Sequence, residues 1–479
     1  MATPAAGFCR LRLRPVEPRR PLLRRVVLLA LLAAATLGAA APATSPAAPP
    51  APRRISLAEA LRLALAHNRT LRAAELERRA AAADITVARS ALLPRLDTVE
   101  NYSYTNNPVY VFSDLLLQQQ FNAADFALNR LNFPSALSNF QSQVVFSQTL
   151  FDGGRGLAAL RAARYGARAK SWQATRVRQQ TEFAVIQAYY AAVLAERQTG
   201  VLERALAAAR AHRAQARQRL AQGLVVRSDV LRTEVMVGTF MQERTMAQSE
   251  LRVAWAQLAH VLGQEDQRLA PQQNLAPAPL AVRGRESLET LVAQAARQRP
   301  EVSIAEAQVN QAQAALTLAR AEYLPTMNVA AAYENDSQEL SRAGYNYWVF
   351  VYGRFNLFNG FASGARVDKA RAELKRARTL REELLRGIGV QVEKAYRTLD
   401  AAEENLGVAR RNRRYAADTL RILEDRYGAG LATNVSVLDA QTVREQAGLR
   451  LARAEVETLV DAAALNLAVG RAPAGSLEP

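Results

Sequence analysis

Few side chains in this sequence are equipped for bond-making chemistry, and none is spaced for it. The three histidines, His67, His212 and His260, stand at no metal-ligand spacing and read as surface residues of polar helices. Gly153, Gly154 and Gly156 lack the lysine and the context of a phosphate-cradling loop, so Asp152-Gly153-Gly154 reads as a strand-to-helix junction. No nucleophile–base set is present; no enzyme, cofactor or metal is expected. What remains is polar chemistry at two glycine-leucine segments. One holds Gly223 and Leu224, followed by Arg227, Ser228 and Asp229. The other holds Arg426, Tyr427, Gly430, Leu431 and Thr433, with Asp439 beyond. Glycine permits the positive φ of a tight helix reversal, and Ser228 and Thr433 are placed to cap the helices that follow.

The elements that present these turns are long. No proline occurs between Pro134 and Pro271, or between Pro325 and Pro473, and apolar residues recur at helical spacing, as at Phe183, Ile186, Tyr190, Val193 and Leu194. Helices are expected at about 56–92, 156–222, 228–262, 287–323, 361–428 and 434–469. A helix of about 65 residues is roughly 100 Å long, a length that suits rods packed as coiled coils.

The chain repeats itself. At an offset of 231, Ser56, Ala64, Glu75 and Leu93-Pro94 match Ser287, Ala295, Glu306 and Leu324-Pro325. At an offset of 207, Leu150-Phe151, Gly153, Tyr189, Arg219, Gly223-Leu224 and Gly263 match Leu357-Phe358, Gly360, Tyr396, Arg426, Gly430-Leu431 and Gly470. The first repeat therefore carries about 24 extra residues between 94 and 150. The implied organisation is a leader (1–43), a Pro/Ala-rich linker (44–54), a first repeat (55–270, hairpin about 96–152), a linker (271–286), a second repeat (287–470, hairpin about 326–358) and a tail (471–479).

The leader has the form of a signal peptide: seven arginines from Arg10 to Arg25, an apolar run from Val26 to Ala35, then small residues. That run is shorter than the ~20 residues of a membrane helix, so cleavage is favoured over an uncleaved anchor. Cys9, the sole cysteine, precedes the run and leaves the mature chain without thiol chemistry. Of the net charge of +18, the leader's seven Arg and one Glu supply +6, leaving +12. In a cytosolic protein that would suit nucleic acid; in an exported one, with Arg scattered among Glu and Asp, it reads as solvated helix faces, and no nucleic-acid partner is expected.

After each Leu-Pro the period changes to two. Met327, Val329, Ala331 and Tyr333 alternate with polar or small neighbours, Tyr345, Tyr347, Val349, Phe355 and Leu357 hold alternate positions over 345–358, and Tyr102 and Tyr104 alternate with Asn101, Ser103 and Thr105 in the first repeat. Val144, Phe146 and Leu150 alternate less cleanly. Each repeat thus supplies a hairpin of roughly ten-residue strands, the length of a membrane-barrel strand. Tyr102, Tyr104, Tyr110, Tyr345, Tyr347, Trp348 and Tyr352 are candidates for interfacial girdles. Hairpin one is joined by a long segment, Ser113 to Asn139, with a short helix expected within Asp114 to Leu131; hairpin two is joined by Gln338 to Gly344. Lipid tolerates no open sheet edge, so four strands must close with those of other copies, two, three or four in all.

With Leu-Pro and Leu-Phe-Asp/Asn-Gly once in each repeat, in the same order, and the tip Tyr427-Gly-Ala-Gly-Leu-Ala-Thr to Val437-Leu-Asp-Ala-Gln441, the chain resembles the TolC family of outer-membrane efflux proteins across about residues 55–470. The resemblance implies a mainly α fold with a membrane β-barrel portion. It implies a homotrimer closing a 12-stranded barrel, an α-helical coiled-coil barrel crossing the periplasm, and partnership with a periplasmic adaptor (membrane fusion) protein. The inner-membrane pump would be of resistance-nodulation-division, ABC or major facilitator type. The protein would be a passive duct in the outer membrane of a Gram-negative bacterium, serving efflux or type I secretion, gated and docked at its helical tip by the turn residues above. Asp229, Tyr427 and Asp439 match positions of a closing network and acidic ring, whereas Ser436 and Ala432 stand where the family has a second acid and an arginine. A soluble periplasmic coiled-coil spacer or adaptor is the alternative reading; it leaves the tyrosine-rich hairpins without a purpose.

Overall fold

The computed structural model describes residues 53–264, 269–271, 286–339 and 344–474. The expected leader, and most of the linkers and of the tail, lie outside these. In chain order the first repeat runs β1 (Arg53–Ile55), α1 (Leu57–His67), α2 (Arg69–Ser90), β2 (Arg95–Thr105), α3 (Pro108–Leu117), α4 (Leu128–Asn132), β3 (Leu137–Phe151), α5 (Arg155–Ala221) and α6 (Arg227–Val261). The second runs β4 (Leu269–Pro271), α7 (Leu288–Gln298), α8 (Pro300–Arg320), β5 (Thr326–Ser337), β6 (Gly344–Arg354), α9 (Ala362–Gly428) and α10 (Asn434–Val469). The long helices α5 and α9 have 67 residues each, about 100 Å at 1.5 Å per residue. Among the described residues no helix is long and apolar enough to cross a membrane.

Two helices expected as single pieces are each broken in two. The segment 56–92 breaks at Asn68 and 287–323 at Arg299, positions related by the 231 offset. At Arg299 the cause is Pro300, which cannot continue α7 but fits the first position of α8 and drives its predecessor to ψ 130. At Asn68 the side chain caps α2 by accepting from Leu71 N and donates to the Val261 carbonyl, so a local cap and a tertiary contact hold the break. Gly263 and Gly470, the glycines after α6 and α10, pack on these breaks. A Cβ on Gly263 would lie 2.5 Å from the His67 carbonyl oxygen, and one on Gly470 2.9 Å from Arg299 N. Around the first joint sits the largest apolar core, with Ile55, Leu61, Val185, Ile186, Tyr190, Leu258 and Leu262 buried.

β1 and β4 pair in parallel, and the four longer strands form one antiparallel sheet in the order β2-β3-β5-β6. Its register places Leu96, Tyr102, Tyr104, Phe140, Val144, Phe146, Met327, Val329, Tyr333, Tyr345, Tyr347, Val349 and Val351 on one face. Glu100 interrupts this face and accepts from Ser142 Oγ. The opposite face carries Asn101, Asn139, Gln141, Gln143, Ser147, Thr149, Asn328, Glu334, Asp336 and Asn346. Trp348 and Tyr352 lie on this second face, away from the other girdle candidates. A register shift between Thr149 and Phe151 explains the poor alternation that ends β3. β6 stops at Arg354, short of Phe355 and Leu357, which stand 57% and 87% exposed in the connection to α9.

The segment that joins hairpin one and holds the extra residues is 106–136, starting and ending earlier than expected: Ser113 is inside α3, and Leu137 to Asn139 belong to β3. Tyr110 is likewise a helix residue, removed from the strand girdle. Phe121 packs edge-on against both Phe112 and Phe126, at centroid distances of 5.0 Å.

Candidate functional site

Both helix reversals obey the same local chemistry. Gly223 (φ +73) and Gly430 (φ +76) each donate to the third carbonyl back, Leu220 and Tyr427. Leu224 N and Leu431 N reach back to Arg219 O and Arg426 O. This bond pair satisfies the last carbonyls of α5 and α9 and needs a left-handed residue at the glycine. The leucine of such a turn commonly packs on the residue five before it. Here that residue is an arginine, and Leu224 and Leu431 are left 68% and 72% exposed, with Val226 at 63%.

The caps differ between repeats. Thr433 accepts from Ser436 N and starts α10. Ser228 does not cap α6: Val226 occupies that position without a side-chain bond, because the helix begins at Arg227 and places Ser228 inside its first turn. Asp229 takes the third position, where its carboxylate meets the positive end of the helix.

The cross-links between the reversals come from residues to which the spacing gave no role. The Arg219 guanidinium lies 4.3 Å from the Tyr427 ring centroid and donates to the carbonyls of Tyr427 (3.1 Å) and Gly428 (3.3 Å). His212, expected on the surface, is half-buried: its Nε2 sits 2.7 Å from Asn434 Oδ1, and its ring lies 5.6 Å from that of Tyr427. Asn434 Nδ2 in turn donates to the backbone carbonyl of Asp229. Tyr427 is only 5% exposed, packed with Leu420, Val437 and Ala440, and its buried hydroxyl has no partner. The ring, not the hydroxyl, engages the neighbours. The duplication offers one clue to this set, since Arg219 and Arg426 are equivalent, yet Arg426 is exposed while Arg219 clamps the opposite repeat. Nothing in the pattern marks Asn434 or His212, whose contacts lie 222 residues apart.

The remaining candidates face outward. Arg227, Ser228 and Arg426 are exposed. Asp439 is exposed and lines an open groove of about 720 Å³ between α9 and α10, with Tyr415, Ser436 and Arg450. Within one copy Asp439 and Asp229 are therefore not joined in one network. Among the described residues no cluster of three or more His, Cys, Asp or Glu could hold a metal.

A model of the outer membrane efflux protein family matches residues 60–264 and 291–471. The chain is 30% identical over 416 residues to protein CyaE of Bordetella pertussis, covering 85% of this chain and 82% of that one. It is 25% identical over 335 residues to the proteases secretion protein PrtF of Dickeya chrysanthemi, covering 67% and 68%. Its fold is similar to that of the CusC channel, at 19% identity and a TM-score of 0.75, covering 88% of this chain and 93% of that one.

Proposed function

Because this chain belongs to the outer membrane efflux protein family, we propose that three copies close their sheets into one 12-stranded barrel and their helices into a gated periplasmic duct. The protein is an outer-membrane duct for efflux or secretion, with its helices on the periplasmic side. The observation that carries closure with other copies is the sheet itself, and three is the number that the family resemblance implies. β2 and β6 each have one unpaired edge, one sheet face is apolar and the other polar. In hydrocarbon such edges must find partners, and copies joined β6 to β2 supply them. The apolar face would meet outer-membrane lipid and the polar face would line the pore. The pore performs no catalysis.

The exposed leucines at the two reversals support docking of a periplasmic adaptor, which would connect the duct to an inner-membrane pump. Arg227, Arg426, Thr433 and Asp439 flank that surface, and Asp439 of each copy would attract cations at a shared constriction. The clamp of Arg219 on Tyr427, with Asn434 bridging to Asp229, supports a tip held closed until a partner engages. The relative named for protease secretion favours polypeptide cargo over small solutes.

The one cysteine, Cys9, lies in the expected leader, so with Cys9 replaced by serine, cysteines placed on β2 and β6 report only on each other. Oxidation of the purified protein should give a covalent ladder ending at a closed trimer. A ladder ending at two or four, or a monomer that stays soluble without detergent, would overturn the reading.

A further inference from the structure

Residues 106–136 do more than join two strands: they fold across the polar face of the sheet. At the end of α3, the Leu117 carbonyl accepts from Asn346 Nδ2, and Gln118 Nε2 donates to the Ser138 carbonyl and to Asn139 Oδ1 (2.9 Å). Asn139 Nδ2 donates to Asp336 Oδ1 at 2.7 Å. The fit is close enough that a Cβ on Gly344, which pairs with Asp336 across β5 and β6, would lie 2.5 Å from the Leu117 oxygen.

This contact is rich in acceptors and poor in donors. Asp336 is fully buried and its Oδ2 has no partner; Gln118 is 4% exposed and its Oε1 has none. Asp114 lies in the last turn of α3, where its carbonyl accepts from Gln118 N, and it is near enough to Asp336 to feel its charge. Burial and the Asp336 charge hold the Asp114 carboxyl above the ordinary carboxylate range. No Lys or Arg among the described residues pairs with either acid. An unpaired buried carboxylate is costly, and two facing each other are costlier. Two carboxylates and an amide oxygen are what a hard divalent cation takes as ligands.

We propose that Asp114, Gln118 and Asp336 form a calcium-class cation site that clamps the 106–136 segment over the polar face of the sheet. With two carboxylates and waters completing the shell, affinity belongs with weak extracellular sites, roughly 10⁻⁴–10⁻³ M. The site itself does not depend on the channel reading. Only its position at the outer mouth of a pore rests on the channel reading, in which long barrel loops lie on the outer side and the clamped segment narrows the exit.

Arg130 is the only basic residue between Arg95 and Arg155, so trypsin acting on the 106–136 segment cuts at one place. Cleavage at Arg130 in the purified detergent-solubilised protein should slow about sixfold when CaCl₂ is raised to about five times Kd. EGTA should restore it, and MgCl₂ should do less. Asp336→Asn keeps the acceptor for Asn139 and should abolish the calcium effect. Gln118→Glu adds a carboxylate and should lower the calcium concentration for half-protection about tenfold. Cleavage unchanged by calcium would overturn the site. So would calcium protection that survives Asp336→Asn. Cleavage of intact cells by added trypsin tests the position separately: calcium-sensitive cleavage of purified protein with none on cells would refute the outer-mouth placement and leave the site standing.

Discussion

Replacing Arg219 with alanine tests whether the two reversals are joined as the geometry states. The guanidinium stacks on Tyr427 at 4.3 Å and donates to two carbonyls at 3.1 and 3.3 Å from a half-buried position. A partly solvated cation–π contact contributes ~0.5–1 kcal/mol. Each bond from a charged donor contributes about 1 kcal/mol after discounting for exposure and, at 3.3 Å, for length. The loss is then about 2–3 kcal/mol and local, because the large apolar core lies around the Asn68 joint and contains neither residue. Local opening of the tip should rise roughly 30–150-fold. Hydrogen exchange at the Gly430 and Leu431 amides, which close the α9 turn, reads this directly. Arg219→Lys keeps the charge but loses the fork, and should recover less than half. In planar bilayers Arg219→Ala should raise resting conductance if the clamp closes the gate. Exchange at both amides changed by less than about threefold would refute the energetic argument. Faster exchange with unchanged conductance would leave the clamp and remove the gate.

Tyr427→Phe should change stability by less than ~0.5 kcal/mol and leave tip exchange unaltered, because the hydroxyl has no partner to lose; circular-dichroism melts and the same exchange measurement check this. Gly430→Ala should cost about 1–2 kcal/mol for its left-handed backbone in open space. Gly470→Ala should cost more, by ~1–3 kcal/mol, since its Cβ presses on Arg299 N at 2.9 Å; paired thermal melts compare them. Glu301 is opposed by burial, but its bonds from Arg299 and the nearby Arg176 hold its carboxyl below the ordinary range. Its stabilisation is therefore present above the unfolded pKa of about 4.3 and is lost as pH falls through the folded value. Melts of Glu301→Gln against wild type should differ at neutral pH and converge in acid.

What could be read in advance was whatever is decided within a few residues. The helical period of α5, α6, α9 and α10, the switch to alternation after each Leu-Pro, and the left-handed glycines at 223 and 430 all follow from side-chain spacing and backbone sterics. The repeat offsets confined the added length to residues 94–150, but its bounds within that window were missed. The break at Pro300 was equally local, and the proline rule carried the signal: a residue that cannot donate its N–H ends one helix and starts the next. The break at Asn68 was not legible, because its second hydrogen bond goes to Val261, 193 residues away.

Contacts between the repeats escaped for the same reason. Arg219 and Arg426 are one residue type at equivalent positions, yet one clamps a tyrosine and the other faces solvent. Only the way α5 lies against α9 and α10 makes that choice. Likewise a short helix was expected within Asp114 to Leu131, and nothing in its spacing says that Gln118 comes to rest on Asn139, which in turn bonds Asp336 of the far hairpin. Periodicity states which side of an element is apolar. It does not state which element covers that side, since burial is settled by the free energy of the whole packed chain.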